Sequence, residues 1–216
     1  MPKWLKLLVG VLLIPVCIGT SRTLWRVIEA SGRADSIWVS LLAGAGCWFV
    51  VFLLLPRPMW VYVFGHELTH AVWAWLFGAR VKRFRATARG GHVVLSRTNF
   101  VIGLAPYFFP VYAFLVVLVF VAGHLLWDWT RYQIWFHLLL GAAYAFHVTM
   151  TFHILQTRQS DITEQGLLFS AVVIWMGNLS VLLLGIPLLT GIPLRTTFEL
   201  CTRLTTDVFL DLARMF

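Results

Sequence analysis

The chain has 216 residues, of which 60% are hydrophobic and 12% charged, with a formal net charge of +8 at pH 7 and a mean hydropathy of +0.83. Soluble domains devote about 25% of their residues to charge, and one soluble core of this length could not hide so much apolar surface, so the surplus is expected to face a lipid bilayer. The basic excess does not point to nucleic acid, because no basic patch is interleaved with aromatics. In a membrane chain such residues set topology and meet anionic headgroups. The three cysteines, Cys17 and Cys47 in apolar runs and Cys201 near the C-terminus, offer neither a disulfide framework nor a thiolate cluster for a metal.

The first apolar run, Trp4 to about Gly19, follows Lys3 and Lys6 in the manner of a signal peptide. Cys17-Ile18-Gly19-Thr20 makes only a weak cleavage site, so the run reads as a retained first helix. A crossing needs about 20 apolar residues, which predicts spans at 4–20, 37–55, 59–78, 101–123, 132–155 and 167–190. Arg22, Arg26, Pro56-Arg57-Pro58, Asp128 and Arg131 punctuate them, and Trp4, Trp38, Trp60 and Trp127 stand near their ends, where amphipathic rings settle. Pro106 and Pro110 predict a kink in the fourth span. The expected fold is an all-α membrane protein of about six transmembrane helices. It divides into two N-terminal helices (1–58), a membrane core (59–190) and a tail (191–216). In the tail, Cys201, Leu204, Val208, Leu212 and Met215 recur at helical spacing, which suits an amphipathic helix on the interface or a short solvated one.

One connection stands apart. Arg80, Lys82, Arg83, Arg85, Arg89 and Arg97 crowd it, and Gly90-Gly91 sits between short β-favouring stretches, which predicts a re-entrant or interfacial β-hairpin over 80–98. With six spans, the segments 21–36, 79–100 and 156–166 share a side and hold ten Lys/Arg against seven opposite. The positive-inside rule then places the hairpin in the cytoplasm and the N-terminus outside, although Lys3 and Lys6 argue the other way.

The third span carries His66-Glu67-Leu68-Thr69-His70. On a helix, residues four apart emerge from one face a turn apart, so two imidazoles can reach one tetrahedral zinc ion. A glutamate beside the first can take a proton from the water that such a metal activates. Three ionisable groups at membrane depth are expensive, at least roughly 2.5 kcal/mol for one acidic or basic group, and such groups mark function. The competing reading is a pair of buried histidines bonded to neighbouring helices, with Glu67 protonated.

A third protein ligand is required. Asp161, in Gln159-Ser160-Asp161-Ile162-Thr163-Glu164, is favoured because its connection shares a side with the one after the motif. Glu164, His153 and His147 are the alternatives. Asp161-x-x-Glu164 also fits a capping box at the start of the last span.

H-E-x-x-H in a membrane helix, a glycine-containing β-like loop, further spans and an Asp opening a late helix together resemble the site-2 protease family of intramembrane zinc metalloproteases. The resemblance covers about residues 59–166, and only the H-E-x-x-H matches tightly; Ser-Asp-Ile stands where the family has Leu-Asp-Gly. It implies His66, His70 and Asp161 as zinc ligands, Glu67 as catalytic base, and a hairpin that presents substrate through Gly90, Gly91 and Val93. The implied partner is a membrane protein or peptide substrate, and the expected location is a bacterial inner membrane. A membrane zinc hydrolase acting at the surface through Glu164 and a non-catalytic scaffold or transporter are the competing functions.

Overall fold

The computed structural model describes residues 2–32 and 34–215; Phe216, the last residue of the tail, lies outside them, as do Met1 and Arg33. The chain forms two compact units: Met1–Asp35 with Ser160–Phe216, and Ser36–Gln159.

In the first unit, α1 (Lys3–Ala30) packs against α8 (Leu167–Thr190) and α9 (Leu194–Ala213). Small residues on α1 allow the close approach. A side chain at Gly19 would collide with Thr205 of α9, and Gly10 lies against the Phe169 backbone of α8. Lys6 Nζ donates to Gln165 Oε1 (2.7 Å) and Trp175 Nε1 to Ser21 Oγ (3.1 Å). The expected tail helix is α9, and its buried residues include Val208 of the predicted apolar set.

In the second unit, α2 (Asp35–Leu54) is followed by α3 (Met59–Leu76), strands β1 (Val81–Thr87) and β2 (Gly90–Leu95), and the short α4 (Phe100–Leu104). Then come a 3₁₀ turn (Ala105–Tyr107), α5 (Val111–Trp127), a second 3₁₀ turn (Trp129–Tyr132) and α6 (Gln133–Leu155). α2 meets α6 through paired glycines: a Cβ on Gly44 would strike the Leu138 carbonyl, and one on Gly141 the Leu41 carbonyl. Small residues let helices approach this closely where no hydrophobic effect drives them together. Trp48 Nε1 donates across the same contact to Thr149 Oγ1 at 2.8 Å.

Four helices are long and apolar enough to cross a membrane: Lys3–Ala30, Asp35–Leu54, Trp129–Leu155 and Leu167–Thr190. The predicted span at 101–123 is not one straight helix. Phe100–Tyr107 and Val111–Trp127 meet at 81°, which makes a broken span or a re-entrant loop. Pro110, at the N-cap of α5, has no N–H to continue a helical ladder, so the kink expected from the prolines is a full break. α3 is not among the four, since His66, Glu67 and His70 interrupt its apolar sequence. It is instead the well-buried helix of its unit, with Tyr62, Val63, Gly65, Glu67, Thr69, His70, Ala71 and Ala74 all shielded.

The hairpin forms as predicted in kind but not in its turn. Ala88 and Arg89 make the turn, and Gly90 (φ +137°) and Gly91 open β2, pairing with Thr87 and Ala86. Since side chains alternate across the pleat, the pairs Phe84↔Val93 and Ala86↔Gly91 share one face, and Arg85↔His92 and Arg83↔Val94 the other. The first face is turned to α3: the Phe84 and Phe64 rings are 5.7 Å apart, and Ala86 packs on the Tyr62–Val63 cluster. The arginines are left exposed.

Candidate metal centre

His66 and His70 stand one turn apart on α3, with ring centroids 4.9 Å apart. The His66 ring lies edge-on to Tyr107 (5.3 Å), a residue only 1% exposed. His70 Nδ1 is 2.8 Å from the Ile102 carbonyl. A carbonyl can only accept, so Nδ1 carries the proton and Nε2 keeps its lone pair for a metal. The carbonyl is itself held in place. Asn99 is the N-cap of α4, and its Oδ1 accepts from Ile102 N at 2.8 Å. Neither Asn99 nor Ile102 was marked by the sequence motif. The available signal was an Asn directly before an apolar run, the usual start of a helix.

Glu67 is 7% exposed. Strand β2 presses on it. A Cβ built on Gly91 would lie 2.7 Å from Glu67 Cγ, 2.9 Å from its Oε1 and 2.7 Å from the Arg85 carbonyl. Gly91 therefore brings backbone against the carboxylate, a position no larger residue could take without displacing one of them. Val93 shares that face, whereas Gly90 pairs with Thr87 at the turn, on the other.

Asp161 lies in the first turn of the short α7 (Ser160–Gln165). It does not cap the last span: α8 begins at Leu167, with Gly166 (φ +93°) intervening. His66 and His70 are the candidate metal ligands that the second unit itself brings together, one turn apart on α3. Glu164 is exposed, His153 half-buried and His147 buried. Two imidazoles supply two of the three protein ligands that a catalytic zinc site uses with one position left open.

Comparison with protein-family models, with curated proteins and with solved structures finds no match for the chain.

Proposed function

We propose that the protein is an intramembrane zinc metalloprotease of the site-2 type, which hydrolyses peptide bonds of membrane-embedded or membrane-proximal substrates. The observation that carries this reading is the pairing of His66 and His70 one turn apart on α3, with the shielded Glu67 next in sequence to the first of them and Asp161 as the third ligand that the reading requires. Zinc in such a site supplies Lewis acidity, which polarises a carbonyl and lowers the pKa of water.

The remaining chemistry falls to the chain's own residues. Glu67 accepts one proton of the attacking water as its oxygen bonds to the scissile carbonyl carbon. It returns that proton to the amine nitrogen as the C–N bond breaks. The low exposure of Glu67 keeps bulk water from competing for that proton. A two-stranded sheet has free edges, and an extended substrate segment can add to the hairpin by backbone hydrogen bonds. Gly91 and Val93, on the face turned to α3, then guide that segment toward Glu67. Because a transmembrane helix has every amide satisfied internally, the substrate must unwind locally to be bound in this form.

The test combines metal content and cleavage. Purified wild type should hold stoichiometric zinc, and His66→Ala and Asp161→Ala should lose it while Glu164→Ala retains it. Glu67→Gln should keep the metal and lose about 10²–10⁴-fold in cleavage rate. Wild-type protein without zinc would sink the reading. Loss of zinc on replacing Glu164 rather than Asp161 would transfer the third ligand to Glu164 and favour a surface hydrolase.

A further inference from the structure

α6 carries a buried histidine that the chemistry above leaves unused. His147 is 7% exposed, and its Nε2 has no hydrogen-bond partner among the described residues. Leaving a buried polar atom unsatisfied costs about 1–3 kcal/mol. A well-packed helix retains such an atom when something other than protein satisfies it.

His147 lines a cavity of about 20 Å³ together with His66, Tyr62, Thr69 and Tyr112. That volume exceeds the roughly 10–15 Å³ required for one water. It is too small for a peptide group or a side chain. A buried water also needs two to four polar partners, and the walls supply them. Thr69 Oγ1 donates to the Gly65 carbonyl at 2.8 Å, and the Tyr112 hydroxyl to the Val61 carbonyl at 2.5 Å. With its proton so engaged, each hydroxyl oxygen keeps lone pairs that accept. A neutral imidazole nitrogen can donate or accept according to tautomer, so Nε2 completes the set. The remaining walls, Phe146, Phe109, Val111 and Pro106, are apolar and leave the water no other place to bind.

The cavity borders His66, and hydrolysis consumes one water per peptide bond. We propose that this cavity is a water site held by His147, and that it supplies the hydrolytic water to the His66 side of the metal centre. The second half of this proposal rests on the proteolytic reading, while the water site stands independently of it.

Two measurements on the full chain in detergent separate these parts. Pulsed X-ray radiolysis forms hydroxyl radicals from bound waters in place and oxidises the side chains beside them. Tyr62 (5% exposed) and Phe146 (8% exposed) are shielded from bulk solvent, so their oxidation reports the cavity. Both should be labelled in wild type, lose at least severalfold in His147→Phe, and keep their labelling in His147→Gln, whose amide can still hold a water. Absent labelling in wild type, or equal labelling in His147→Phe, would overturn the water site.

In the cleavage arm, His147→Phe should lower kcat about tenfold to a hundredfold, a range typical of losing one supporting partner of a metal site. KM and zinc content should stay unchanged, and His147→Gln should recover most of the rate. A merely structural histidine would not give this kcat-only loss with rescue by Gln. Wild-type kcat in His147→Phe would overturn the supply role. If no Glu67-dependent cleavage occurs at all, the proteolytic reading fails and the supply role with it, and radiolysis alone decides the water site.

Discussion

A histidine that binds metal through one nitrogen must have the other held, and for His70 the backbone does the holding. The Ile102 carbonyl fixes Nδ1, and the Asn99 side chain fixes the turn that carries this carbonyl. Asn99 is thus a positioning residue two steps removed from the His70 nitrogen that is left free for a metal. Replacing an N-cap Asn by Ala costs about 1 kcal/mol, and loss of an outer partner weakens metal affinity about 10–100-fold. Asn99→Ala should therefore bind zinc about tenfold more weakly in a metal-buffered titration, and Asn99→Asp, which keeps the acceptor, should match wild type. Equal affinity in all three would mean that the carbonyl holds its place without the cap. The histidines and Glu67 were legible in the sequence because i, i+4 spacing on a helix is local geometry. Ile102 was not, because an apolar side chain says nothing about what its carbonyl touches.

Among the elements, the two-stranded hairpin and the broken helix differ most from a plain bundle. The hairpin was readable from its glycines and β-branched residues, but its turn was not: Gly90 and Gly91 serve the strand, with Gly91 needed where β2 closes on Glu67. The break before α5 was readable as a proline effect, though not its 81° size, since prolines remove hydrogen bonds without fixing the direction the chain takes next. The α2–α6 contact was not legible at all. A glycine in an apolar run looks the same whether it faces lipid or a neighbouring carbonyl. Gly46, on the same helix, has open space around it, while Gly44 and Gly141 each face a backbone carbonyl. Overpacking such a contact costs about 1–3 kcal/mol. Gly44→Leu should therefore lower the thermal transition of the detergent-solubilised protein, and Gly46→Leu should leave it within error. Equal shifts would remove the glycine contact as a determinant of stability.

At the scale of the whole molecule, apolar side chains are turned outward along the long helices, as at Leu12, Leu42, Leu139 and Leu188. Such outward apolar side chains are in keeping with helices long and apolar enough to cross a bilayer. Metal and fold should be linked. A ligand that binds only the folded state stabilises it by about 2.7 kcal/mol at a hundredfold excess over Kd. Zinc added to chelator-treated wild type should raise the thermal transition, and the same addition to His66→Ala should not. A rise of the same size in both would place the stabilising metal elsewhere.

The sequence alone determined the apolar helices, the basic hairpin, and the pairing of His66 with His70 beside Glu67, because composition, periodicity and helical spacing depend on near neighbours. Only the tertiary structure decided that Ile102 orients His70, that Gly91 closes on Glu67, and that His147 faces a water-sized cavity. Each of these joins residues far apart in the chain. Which of them meet is fixed by helix packing and backbone direction, which no local pattern encodes.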